Sequence, residues 1–263
     1  SGTLTISNYS NSIVNGTLNA TGGTIKLTSG VLTIGSDSTI SSAILNQSYG
    51  STLNIAGGSA YLSDSDSLEG EIVVSSGILG LDGAILNDDL TITGGGVISD
   101  SNTVINGTTT ISGGSNDFNS TTFGNVSISD GTSSFTDVSK NGTFTQTSGS
   151  TTIIGSGFDL DNDADNISGG TLNIGNGSTT TVGVSAGTIG SDTTVNIDKN
   201  STLNVSDGNI SLDSGDTWNG NVNISGGELA LIGISKKNSA KFTQTGGSTT
   251  ITGNGFNLNN SSD

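Results

Sequence analysis

Leu53, Ile72, Leu90, Thr109, Val126 and Phe144 each head an equivalent short segment, and the steps between them are 19, 18, 19, 17 and 18 residues. A repeat this short restricts the fold strongly. One unit holds too few apolar side chains to bury a core alone, so it must stack on copies of itself. Inside the units the pattern has period two, as in Leu90-Thr91-Ile92-Thr93-Gly94-Gly95 and Val222-Asn223-Ile224-Ser225-Gly226-Gly227. Such alternation sends two apolar residues to one face of a strand and Thr or Asn to the other, and the glycines that follow mark a turn where φ > 0 is needed. No segment has a 3.6-residue apolar period, so helix is not expected. The pattern predicts an all-β protein, a parallel β-solenoid of about 18–20 residues per coil with three short strands, about 14 coils in an elongated rod.

Two longer duplications lie over this period. Residues 51–83 match 201–233 without a gap, pairing Leu53 with Leu203, Asp66 with Asp216, Leu68 with Trp218 and Gly70 with Gly220. Within 142–166 and 239–263 a second duplication runs at an offset of 98, pairing Phe144 with Phe242 and Gln146 with Gln244. No linker of concentrated Gly and Ser separates parts, so residues 1–263 read as a single solenoid segment of a longer array. Longer loops are expected near Tyr9–Ile13, Ser36–Tyr49, Asp159–Asn166 and Ser235–Lys241.

Composition supplies a competing reading, disorder, since only 30% of the 263 residues are apolar and 42 are glycine. Regular alternation of Ile, Leu and Val tells against it. The absence of Pro also suits strands whose every N–H is needed in a ladder.

The chain has no Cys, His or Arg, which removes the usual zinc ligands, the thiol and imidazole nucleophile pairs and redox cysteines. A net charge of -17 repels nucleic acid and anionic membrane surfaces. No apolar run is long enough for direct membrane insertion by this segment.

Asp159, Asp161, Asp163 and Asp165 stand two apart, the alternation by which calcium loops present hard oxygen ligands. Glycine is missing at the sixth loop position, no Glu closes the loop at the twelfth, and the duplicate reads Asn257-Leu258-Asn259-Asn260. A solvated acidic loop is therefore expected, with calcium as the competing reading and no other metal or cofactor. Two carboxylate pairs, Asp64 with Asp66 and Glu69 with Glu71, have the closeness a glycosidase needs. Pairs of this kind arise along any polar strand, and Glu69 and Glu71 become Asn219 and Asn221 in the duplicate. No catalytic residue is assigned.

Thr-rich strands such as Thr108-Thr109-Thr110 and Thr151-Thr152 drift between coils, so a flat ice-binding array is not expected. Asn106-Gly107-Thr108 and Asn141-Gly142-Thr143 fit the N-glycosylation pattern, which chance also produces in such a composition. Trp218 and Phe144 read as core residues, because their counterparts are Leu68 and Phe242. Asn54 and Asn204 either stack in ladders or face solvent, and the sequence leaves both open.

The units Leu90-Thr91-Ile92-Thr93-Gly94-Gly95, Gly170-Thr171-Leu172-Asn173-Ile174 and Ile210 to Gly227 resemble the passenger regions of bacterial autotransporters and related haemagglutinin-like adhesins. The resemblance implies a right-handed parallel β-helix, secreted and displayed on the bacterial cell surface, that mediates or supports adhesion, autoaggregation or biofilm. It implies partners among copies of the chain itself, host or cell-surface glycans, or proteins. A passive stalk carrying a binding head elsewhere is one alternative. A polysaccharide lyase or glycosidase on the same fold is the other, against which stands the lack of a basic cleft.

Overall fold

The computed structural model describes residues 3–6, 11–14, 23–36, 38–41, 43–155, 158–160, 162, 164–175, 179–182, 188–237, 239–253, 256–258 and 263. These residues form a β-solenoid of about 11 turns with parallel stacked strands and no helix. Three strands make a turn. In one, Thr202–Val205, Asn209–Asp213 and Thr217–Trp218 follow each other before Asn221–Ile224 begins the next, pairing Thr202 with Asn221 in parallel register.

The chain divides into two compact units, Ser1–Ser133 and Ser134–Asp263. In the first, Leu32, Leu53, Ile72, Leu90 and Thr109 pair in succession and are fully buried, as is the parallel column Ile34, Ile55, Val74, Ile92 and Ile111. The steps predicted from Leu53 to Ile72, Leu90 and Thr109 are therefore real registers. Each core side chain rests on the one a turn below, so burial grows by stacking and not by the size of any single turn.

The second unit stacks by the same rule with longer turns. Its pairings span from 19 residues, as in Thr202 with Asn221, to 23, as in Leu172 with Val195. The first unit runs from 18, as in Ile72 with Leu90, to 21, as in Leu32 with Leu53. The described residues make about 11 turns where 14 were expected, and the longer turns account for part of the difference. The expected loop at Ser36–Tyr49 is also corrected. It contains the strands Thr39–Ile40 and Ile44–Gln47, whose inward residues Ile40, Leu45 and Gln47 are buried. Apolar residues are sparse there because a buried glutamine fills one inward place: Gln47 Nε2 donates to the carbonyls of Ser51 at 3.1 Å and Glu71 at 2.9 Å. Of the Tyr9–Ile13 stretch, Tyr9 lies outside the described residues, whereas Asn11–Val14 is a strand paired with Val31 to Ile34.

One corner of the first unit is a column of glycines. Gly77, Gly95 and Gly114 have φ of 87°, 70° and 82°, a region that side chains enter only at a cost. A Cβ at Gly95 would lie 2.5 Å from the carbonyl oxygen of Gly77, and one at Gly114 would lie 2.7 Å from that of Gly95. Backbone packs on backbone at this corner, which explains the glycine that stands three residues after each of Val74, Ile92 and Ile111.

Aromatic side chains close the core of the second unit. Phe135, Phe144 and Phe158 pack with ring centroids 5.1 to 6.1 Å apart. Trp218, Phe242 and Phe256 repeat the arrangement at 5.6 to 6.0 Å. Trp218 and Phe144 are core residues as expected, and the indole Nε1 donates to the Gly220 carbonyl at 3.1 Å.

Candidate binding face

The acidic run expected to be either a solvated loop or a calcium site resolves into something else at its last member. Asp161 and Asp163 lie outside the described residues. Asp159 begins a two-residue strand paired with Thr181 and Val182. Asp165 turns inward and is 1% exposed. Its Oδ1 accepts the Phe144 N–H at 2.6 Å; its Oδ2 accepts the Asn162 N–H at 2.9 Å and the Lys140 ammonium at 2.7 Å. With three donors on one buried carboxylate, Asp165 serves as a clasp between turns and presents no free oxygen edge to a cation. Among the described residues, no group of three or more His, Cys, Asp or Glu is placed to hold a metal ion.

The same clasp recurs. Asp66 accepts the N–H groups of Leu45 and Ser63, both at 2.6 Å. Asp216 accepts those of Val195 and Asp213, both at 2.7 Å. Asp263 accepts the Phe242 N–H at 3.0 Å and pairs with Lys236 at 2.7 Å. In all four, the carboxylate reaches an amide 21 residues earlier in the chain, one turn back. Asp66 had entered a candidate glycosidase pair with Asp64; its two oxygens are instead occupied by backbone donors. The signal was available in the sequence, since Asp66 matches Asp216 and Asp165 matches Asp263 across the two duplications, but the apolar period does not show where a carboxylate points.

The titration of Asp216 is displaced by its surroundings. Burial pushes its carboxyl up to about 6, the N–H donors of Val195 and Asp213 pull the other way, and the neighbouring Asp213 charge adds to the rise. A folded pKa above the unfolded value means that the native state holds the extra proton between about pH 4 and pH 6. The resulting stability is complete below pH 4 and lost as pH rises through 6. The unfolding midpoint of the wild type relative to Asp216→Asn is therefore expected to fall between pH 4 and pH 6 and to stay level above. A flat difference across that window would show that burial does not dominate at this carboxyl.

Outward side chains form columns because each strand pairs in register with its neighbours. Asn106 donates to Asn87 at 2.8 Å, and Asn87 to Glu69 at 2.8 Å. Asn196 donates to Asn173 at 2.8 Å, and Asn173 to Thr152 at 3.2 Å. Of the two asparagines left open by the sequence, Asn204 accepts from Asn223 at 3.0 Å, whereas Asn54 donates to Thr33 at 3.4 Å. The ladders are short and mixed, with Glu and Thr taking places beside Asn.

Within the first unit, the strands Ser51–Ser63, Glu71–Asp82, Gly96–Asp100 and Val104–Asn119 place four outward residues in one column: Tyr61, Gly80, Ile98 and Asp117. Tyr61 and Ile98 are about half exposed, at 50% and 53%. Ile78, one place along the face from Gly80, is exposed too. This cluster was not singled out from the sequence, although parity shows it: Ala60 and Leu62 point inward, so Tyr61 between them must point out.

Other concavities are shallow and open. One of about 300 Å³ is bordered by Thr188, Asn209, Ser211, Glu228 and Ala230, and another of about 370 Å³ by Tyr49, Glu71, Asp88 and Asp89. The pair Glu69 and Glu71 does not converge on a common point. Glu69 takes the Asn87 amide at 2.8 Å and Glu71 the Thr91 hydroxyl at 3.4 Å.

No family model, no curated protein and no solved structure matches the chain.

Proposed function

We propose that this chain is an adhesive segment of a secreted filament displayed on a bacterial surface, of the kind its strand and turn units resemble. The observation that carries the reading is the register of the outward columns. Side chains such as Glu69, Asn87 and Asn106 stand one per turn in a hydrogen-bonded row, which presents an ordered polar face. Such a face suits many weak polar contacts with another surface, summed by avidity. A charge of -17 keeps copies apart until those contacts form.

Beads coated with the chain are expected to clump with one another or to attach to cell surfaces, more strongly at moderate salt where charge repulsion is screened. Coated beads that stay dispersed and unattached at every salt concentration would leave the chain a passive stalk and end the adhesive reading.

A further inference from the structure

The Tyr61 cluster is not something the solenoid needs. At the matching places of the 150-residue duplication the chain carries Ser211 for Tyr61, Glu228 for Ile78 and Ala230 for Gly80, and those strands pair in the same parallel register. The other copy has one exposed isoleucine on this face, Ile232 at the place of Asp82, whereas here an exposed tyrosine and Ile78 are joined by Ile98 of the next turn, and this larger apolar group calls for a partner.

The geometry narrows its chemistry. A Cβ at Gly80 would lie 2.6 Å from Cδ1 and 3.1 Å from Cε1 of Tyr61, so the ring lies down along the column against the Gly80 backbone. It offers a face to solvent, extended by Ile78 on the same turn as Gly80 and by Ile98 on the next. The rim is polar and acidic: Asp82 and Asp117 are exposed, and Ser63 follows Tyr61 on the same face of its strand. A flat apolar platform with acceptors at its edge matches a sugar ring, which has a C–H face to lay on an aromatic and hydroxyls to donate sideways. The rim carboxylates and the charge of -17 disfavour an anionic ligand.

We infer that Tyr61, Gly80, Ile78 and Ile98 form a binding platform for a neutral oligosaccharide, with Asp82 and Asp117 accepting hydrogen bonds from its hydroxyl groups. The inference deepens the adhesive reading, and rests on it, by naming where contact occurs and with what class of ligand.

The test is titration of the soluble chain with neutral hexose oligosaccharides of several linkages and with one uronate oligomer, read on the aromatic NMR signals of tyrosine. Tyr61→Ser both assigns the ring and installs the residue found at the matching place of the duplicate. Neutral oligosaccharide is expected to shift the Tyr61 signals, and uronate to leave them in place. Gly80→Ala lifts the ring from the backbone while keeping the tyrosine, and is expected to weaken binding about tenfold with unfolding midpoint little changed, since the new methyl meets only the half-exposed Tyr61 side chain, which can swing outward. The platform is overturned if no neutral oligosaccharide moves Tyr61, if binding persists undiminished in Tyr61→Ser, or if the signals move with protein concentration alone, which would make a second copy the occupant. The bead assay separates the two readings: wild-type beads that clump or attach although no neutral oligosaccharide moves Tyr61 sink the platform and leave the adhesive role standing, whereas saccharide binding by a chain whose beads stay dispersed and unattached ends the adhesive role.

Discussion

Asp165→Ala is expected to lower the unfolding free energy of the second unit by about 4 kcal/mol. The carboxylate is 1% exposed and receives Phe144 N–H, Asn162 N–H and the Lys140 ammonium. Removing it leaves two amide donors without their acceptor and a lysine, whose side chain is only 2% exposed, without its counter-charge. Lys140→Met should cost less, about 2 kcal/mol, because Asp165 keeps both amides and methionine fills the lysine's volume. Asp66→Ala provides the comparison in the first unit. That carboxylate binds two amides, at Leu45 and Ser63, and no ion pair is found for it; the expected loss is about 2 kcal/mol. Urea unfolding of the three variants measures the series. A loss at Asp165→Ala no greater than at Asp66→Ala would mean that the lysine adds nothing to the clasp.

Gly95→Ala is expected to cost a similar amount, about 4 kcal/mol, from two separable sources. The first is backbone strain at φ of 70°. The second is the collision of the new methyl with the Gly77 carbonyl oxygen at 2.5 Å and the Gly77 nitrogen at 2.9 Å, neither of which moves without shifting a turn. Gly50 separates them, because it has φ of 75° and nothing within 4 Å of a built Cβ. Gly50→Ala should cost only about 1 kcal/mol. Equal effects at the two positions, in thermal or urea unfolding, would show that the corner column is held by dihedral preference alone and not by close packing of one turn on the next.

These two effects mark the boundary of what one-dimensional reading supplies. The repeat, the parallel stacking and the corner glycines were legible because each is a spacing: Leu53 to Ile72 to Leu90, or the Gly-Gly that follows Leu90-Thr91-Ile92-Thr93 and Val222-Asn223-Ile224-Ser225. Trp218 and Phe144 were legible as core because duplication fixed their parity. Turn length in the second unit was not, since Asp159 pairs with Thr181 and Thr179 with Thr202 at steps of 22 and 23 residues, and extra residues placed between strands leave the alternation within each strand intact. The Ser36–Tyr49 stretch was misread for a related reason: an inward glutamine breaks the apolar pattern while the backbone continues as strand. Asp165 belonged to a visible acidic alternation, yet alternation says only which side of a strand a residue takes. Its burial follows from a turn that brings Lys140 and the Phe144 amide to meet it. Tyr61 is readable as outward from its parity between Ala60 and Leu62, but a lone tyrosine on a polar strand face carries no signal by itself; the glycine beneath the ring meets it only when the turns are stacked.

The carboxylate clasps also give the solenoid a polarity in time. The amides of Leu45, Phe144, Val195 and Phe242 are each satisfied by an aspartate 21 residues nearer the C-terminus. A chain delivered from its N-terminus thus exposes each of these amides until one further turn has arrived, and the aspartate that comes with that turn locks the one before it. For a chain delivered in that direction, each new turn at these four places would be the latch of its predecessor.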